Sequence, residues 1–149
     1  MATSPLKPGA AIAGVPVHAM LVPFPIVCFT GAMITDIIYA NTDVIQYTDF
    51  SSWLLVFGLF MGALAALFGL IDLFRNRAAD RPTIAWVHMI GNFAVLALAL
   101  VNSFVHAGDA WTSVVPTGLT LSVITVLLLA VTGFLGHRLA YRHVARDER

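Results

Sequence analysis

The sequence predicts an all-α integral membrane protein: a four-helix bundle with its N and C termini in the cytoplasm. Three observations predict it. The 149 residues are 59% hydrophobic and only 11% charged, against roughly 25% charged in a soluble domain. Four long apolar stretches alternate with short polar segments. The basic residues all fall on one side of those stretches: Lys7, then Arg75, Arg77 and Arg81, then Arg138, Arg142, Arg146 and Arg149.

The elements follow in order. Residues 1–20 are rich in Pro, Gly and Ala and lack the compact apolar region and cleavage site of a signal peptide. The first span runs from about Leu21 to Ala40, with Pro23 and Pro25 in its opening turn, where a missing N–H costs little. A loop with Asn41, Asp43 and Asp49 leads to a second span from Trp53 to Phe74. The basic turn Arg75 to Pro82 precedes a third span from Ile84 to Val105. Gly108, Asp109 and Trp111 mark the next turn. The fourth span runs from Val115 to Leu139, followed by the basic tail Tyr141 to Arg149. Four helices of ~20 residues use nearly the whole chain, so 1–149 reads as a single transmembrane domain with no separate soluble catalytic one.

Orientation follows from the bias of Lys and Arg toward cytoplasmic loops. The 75–81 turn and the tail are basic, whereas the other two loops carry Asp43, Asp49 and Asp109 and no Lys or Arg. The expected setting is a multi-pass protein of the inner (plasma) membrane. Trp53, Trp86, Trp111, Tyr39, Tyr47 and Tyr141 fall near the predicted interfaces, as amphipathic rings do.

Several functions are disfavoured. The thin, membrane-proximal basic residues do not make a nucleic-acid surface. Cys28 is the one cysteine and lies in an apolar run, as a packing residue. There is no Gly-rich phosphate loop and no Cys/His zinc spacing, and the serines lack a readable His–Asp arrangement.

The helix faces are patterned. Gly58, Gly62, Ala65, Gly69 and Asp72 share a stripe in the second span, and Gly118, Ser122, Thr125, Thr132 and Gly136 share one in the fourth. Such small-residue stripes let helices approach closely. In the third span His88, Asn92, Val95, Ala99, Asn102 and His106 line one face, which polar groups turn toward the bundle interior. A weak internal repeat accompanies this. His18-Ala19-Met20 echoes His88-Met89, and Asp36 follows His18 at the interval at which His106 follows His88. Two helical hairpins related by an axis along the membrane normal would explain it, although chance identities would look the same.

Four motifs carry a resemblance. Gly14-Val15-Pro16-Val17-His18-Ala19-Met20-Leu21-Val22-Pro23-Phe24-Pro25 with Asp36 comes first. Gly69-Leu70-Ile71-Asp72, His88-Met89-Ile90-Gly91-Asn92, and Thr132-Gly133-Phe134-Leu135-Gly136 through Tyr141-Arg142-His143 follow. In this order they resemble the prokaryotic membrane family called domain of unknown function 2231, over nearly the whole chain. The resemblance implies a four-helix inner-membrane module in a redox setting, since relatives are fused or adjacent to Rieske-type or cytochrome c-type domains. This chain departs from the pattern at Val15, where relatives often have histidine, and at Ala19, where they often have proline. It departs also at His137-Arg138, in place of a common Gly-Glu, and in its tail after His143.

The histidines suggest the chemistry. His18 and His88 fall at similar depth near the cytoplasmic face, and two such side chains are the usual axial pair for a b-type haem between membrane helices. In this expectation Gly14, Gly69, Gly91, Gly133 and Gly136 give clearance to the macrocycle. Arg75, Arg81, Arg138 and Arg142 reach its propionates, with His143 as a further ligand or propionate contact. Asn92 or Asp72 accepts an imidazole N–H and sets the tautomer. The bland reading is that each histidine is simply hydrogen-bonded near the interface. His106 lies about 27 Å from His88 along the helix at 1.5 Å per residue; it reads as interfacial, or as part of an outer site with Asp36. His137 reads as interfacial, and Asp72 as a partner of Arg75 or Arg138.

The expected function is therefore a haem b electron carrier in the lipid bilayer, exchanging electrons with a quinone or a partner redox protein, with a homo-oligomer open as an option. The rival is a cofactor-free membrane protein. It would carry a proton or small-solute path along the polar face of the third helix, or serve as a structural subunit.

Overall fold

The computed structural model describes residues 10–75, 82–108 and 110–147, with side chains of the last helix described as far as Leu139. A two-stranded hairpin comes first: β1 (Ala11–Ile12) pairs antiparallel with β2 (Val15–Pro16). Ala13 and Gly14 between them have φ of 50° and 83°, as a two-residue primed turn demands. The Val17 amide bonds the Ala10 carbonyl at 3.0 Å, and this fixes the entry to α1 (Val17–Leu21). The sequence showed no sign of α1 as a separate helix.

Without a loop, α1 passes into α2 (Pro23–Thr42): Val22 keeps helical φ and ψ, and its amide bonds the His18 carbonyl at 3.2 Å. Asp43, in the left-handed region at φ 57°, closes α2 by bonding Tyr39 O. The helix α3 (Gln46–Arg75) begins before Trp53, the expected start. Polar side chains stabilise this early stretch by bonding back to the chain, Thr48 to the Ile45 carbonyl and Ser52 to that of Thr48. Then come α4 (Thr83–His106), the short α5 (Ala110–Val114) and α6 (Thr117–Asp147). The turn expected around Trp111 is thus partly helical.

Four stretches are long and apolar enough to cross a membrane: Val17–Thr42, Gln46–Arg75, Thr83–His106 and Trp111–Leu139. They pack as two hairpins, α2 on α3 and α4 on α6, and the hairpins close into a ring through α2 against α6 and α3 against α4. This leaves α2 diagonal to α4, and α3 diagonal to α6. Both described ends of the ring are therefore distinct. The terminal end holds the starts of α2 and α4 and the ends of α3 and α6. The far end holds the Asp43 turn and α5.

The polarity runs inward. Asp36, Ser51, Asn102, Ser122, Thr125 and Thr132 are buried, while Val27, Phe60, Phe104 and Leu127 face outward. That distribution suits hydrocarbon, where backbone and side-chain polar groups must be satisfied internally. Midway, Phe29, Ala32, Leu55, Val95, Ala99 and Leu129 form an apolar core, with Cys28 buried beside it as a packing residue. The small-residue stripe of α3 makes the close approach possible. A Cβ added at Gly58 would stand 2.6 Å from the Phe29 ring and 2.9 Å from Cys28 Cβ, and one at Gly62 would stand 2.6 Å from Leu96.

Because Phe29 is enclosed, Gly58→Ala should destabilise the bundle by about 1–3 kcal/mol, the usual cost of overpacking. Unfolding in detergent, followed by circular dichroism, measures it; an unchanged midpoint would contradict this packing.

Candidate functional site

Two groups of functional side chains stand at opposite ends of the bundle. At the terminal end His18 projects from α1 and is half-buried against α3. Its Nδ1 lies 2.8 Å from the Ala65 carbonyl. A carbonyl only accepts, so Nδ1 carries a hydrogen, and in the neutral ring Nε2 holds the lone pair. The ring rests on Gly69, where an added Cβ would come within 3.1 Å of Nδ1. His88, in the second turn of α4, repeats the arrangement on α6. Its Nδ1 lies 2.8 Å from the Thr132 carbonyl, and a Cβ at Gly136 would come within 2.6 Å of its ring. In both cases the accepting carbonyl precedes the glycine by one helical turn. The hairpin repeat suspected in the sequence is therefore also a repeat of side-chain environment.

The helix carbonyls of Ala65 and Thr132 hold the imidazole N–H groups, not Asn92 or Asp72 as the sequence reading supposed. Helix carbonyls within a turn of small residues are reachable, because no neighbouring side chain shields them. Asn92 instead donates to the His88 carbonyl at 2.7 Å, with its amide nitrogen 3.3 and 3.4 Å from the two ring nitrogens. Asp72 is half-buried near the end of α3.

The glycines also differ from expectation. Gly69 and Gly136 are filled by the His18 and His88 rings themselves, and Gly91 by the Thr132 methyl at 2.5 Å from an added Cβ. Only Gly14 and Gly133 of the five are open. Two open concavities, of about 570 and 170 Å³, are lined by Thr35, Phe50, Trp53, Leu54 and Phe57, and by residues around Ile26 and Gly133. Neither touches His18 or His88. Among the described residues no group of three His, Cys, Asp or Glu side chains could hold a metal ion. With Nδ1 of each imidazole bonded to a carbonyl, Nε2 is the nitrogen that would hold a haem iron.

Of the expected propionate partners, Arg75 is exposed at the end of α3, and Arg138 is exposed with its guanidinium 5.8 Å from the Phe134 ring. Arg81 and the side chains of Arg142 and His143 lie outside the described residues. His137 is exposed.

At the far end Asp36 of α2 is fully buried, with both oxygens engaged. His106 Nε2 lies 2.9 Å from Oδ1, and the Ser122 hydroxyl 2.5 Å from Oδ2. Asn102 donates to Ser122 at 2.8 Å, and His106 Nδ1 bonds the Asn102 carbonyl at 3.0 Å. The interfacial reading of His106 is overturned: its ring is buried, and room for it comes from Gly118, where a Cβ would stand 2.7 Å from the ring. Pairing with Asp36 was legible from depth, since Asp36 follows His18 by the same interval at which His106 follows His88. The role of Ser122 was not, because a serine in a small-residue stripe reads as packing.

The architecture is that of a polytopic four-helix membrane protein with matched histidines at one end and a buried Asp–His cluster at the other. The chain belongs to the family described as "Predicted membrane protein (DUF2231)", which matches residues 14–149. No curated protein and no solved structure matches it.

Removing one member of a buried pair strands the other. Asp36→Ala leaves His106 and Ser122 without their shared partner and should cost about 3–5 kcal/mol. Thermal unfolding of the purified variant checks this; a loss below that of an ordinary core truncation would count against the pairing.

Proposed function

We propose that the protein is a b-type haem-binding membrane electron carrier, with His18 and His88 as axial ligands. One observation carries the reading: two half-buried imidazoles, in equivalent places on the two hairpins, are anchored alike through Nδ1. A histidine serving only as an interhelical tie has no need to commit the same nitrogen, Nδ1, in both copies, with only the Asn92 amide nitrogen, at 3.4 Å, near Nε2 of His88. A ligand does, because the carbonyl bond fixes ring orientation and raises the basicity of the coordinating nitrogen. Bound haem would supply one-electron transfer; the chain's part is to present two oriented nitrogens in a setting of low polarity.

The redox setting of the resembling family favours a quinone or a partner redox protein as the exchange partner. The bias of Arg75, Arg138 and the tail supports a cytoplasmic location for the terminal end, in the inner membrane. Arg75 and Arg138 are cations at that end among the described residues. The rival, a continuous polar path along α4, is less well supported, because Val95 and Ala99 belong to the apolar core that separates Asn92 from Asn102.

The test is an absorption spectrum of the detergent-purified protein, oxidised and dithionite-reduced, with a pyridine haemochrome assay. A Soret band with sharp reduced α and β bands is expected, and His18→Ala or His88→Ala should each remove the six-coordinate low-spin spectrum while helix content persists. A colourless protein after expression with ample haem would refute the reading.

A further inference from the structure

The polarity of the hydrogen bonds at the far end fixes the location of every proton but one. The Asn102 carbonyl only accepts, so His106 Nδ1 carries a hydrogen. Asn102 Nδ2 donates to Ser122 Oγ, and Ser122 turns its single hydroxyl hydrogen onto Asp36 Oδ2. One contact remains: His106 Nε2 to Asp36 Oδ1 at 2.9 Å. Two bare acceptors do not face each other at hydrogen-bond distance. A single proton therefore lies between them, on the carboxyl or on the imidazole. In either position the pair carries no net charge, and gain or loss of one proton leaves a buried charge.

Both side chains are fully enclosed, and the pair lies toward the far end of the bundle. Toward the terminal end the cluster is closed by the layer of Phe29, Leu55, Val95 and Leu129. Toward the far end His106 is the last residue of α4 and lies under α5, whose Ser113 and Val114 are buried. Beside Ser122, two further polar atoms are buried without a partner among the described residues: Asn102 Oδ1 and Thr125 Oγ1. Both can accept from a hydrated proton. The other buried polar side chains at this end are Tyr39 of α2, which packs on Trp111, and Thr48 and Ser51 of α3. Asp43 and Asp49 at the same end are exposed. No buried charge other than Asp36 and His106 is therefore present there among the described residues.

We propose that Asp36 and His106 form a proton-binding site that exchanges one proton with the aqueous phase at the far end of the bundle. The site is independent of haem binding at the terminal end.

Asp36→Asn is the decisive variant, because it keeps the hydrogen bonds of the neutral pair. The carboxamide donates to Nε2 and accepts from Ser122, so the fold should survive. Infrared difference spectra of the purified full-length chain, taken across a pH series, read the carboxyl group directly. The wild type should show a pH-dependent carboxyl change that is absent from Asp36→Asn and altered in His106→Gln. Identical difference spectra for wild type and Asp36→Asn would overturn the proposal. Should Asp36→Asn fail to fold, Ser122→Ala serves instead: it leaves both groups in place and removes the donor to Oδ2. The carboxyl change should then occur at a different pH from wild type, and an unmoved transition would overturn the proposal equally.

Discussion

A carboxyl group buried among apolar helices must be fully hydrogen-bonded, and the far half of this bundle is organised around that demand at Asp36. Its two oxygens recruit one partner from α4 and one from α6. Since α2 and α4 lie on a diagonal of the ring, the His106 bond spans the bundle's centre, not a neighbouring groove. Asn102 completes the arrangement by linking α4 to α6. In hydrocarbon there is little hydrophobic drive between helices, so such polar ties select one packing among many that small residues would permit. The cluster thus sets helix register at the far end in the way that the Phe29–Leu55–Val95–Leu129 layer sets it midway.

The same bond explains the relation between the hairpins. Asp36 and His106 occupy corresponding positions in the two halves, and they meet across the centre. An axis along the membrane normal that relates the halves must pass near this contact. It also relates His18 to His88, whose environments match: a carbonyl on the partner helix, then a glycine one turn later. Corresponding positions differ where they touch each other, an acid and a base, and are alike where each contacts its own hairpin. A difference at the axis is expected physically. Two identical carboxylates or two identical imidazoles in contact would repel when charged, whereas an Asp–His pair stays neutral with one proton.

Much of this was legible in the sequence because the bilayer simplifies the code. Long apolar stretches specify the spans, and the stripe of Val95, Ala99, Asn102 and His106 is buried as its polarity required. What escaped was local. The start of α3 at Gln46 depends on side chains bonding back to carbonyls, and a polar, loop-like stretch conceals that. The anchors of His18 and His88 are backbone atoms, which any residue type supplies, so no letter of the sequence marks them. The ends of α1 and α5 rest on prolines and on short turns whose geometry depends on neighbouring helices.

The glycines complete the argument. Three histidine rings enter the bundle, and each rests on a glycine of a neighbouring helix: His18 on Gly69, His88 on Gly136 and His106 on Gly118. For His18 and His88 the missing Cβ lets Nδ1 approach a carbonyl of the facing helix, whereas His106 bonds a carbonyl of its own helix and Gly118 only makes room for its ring. Read as a packing motif, the stripe in α3 or α6 explains close helix approach, and Gly58 and Gly62 serve that end. Gly69, Gly118 and Gly136 serve a different one, since what they admit is a ring. Glycine therefore marks two distinct constraints along the same stripe, helix contact near the middle and histidine placement toward the ends. The distinction separates residues that hold the bundle together from residues that position its chemistry.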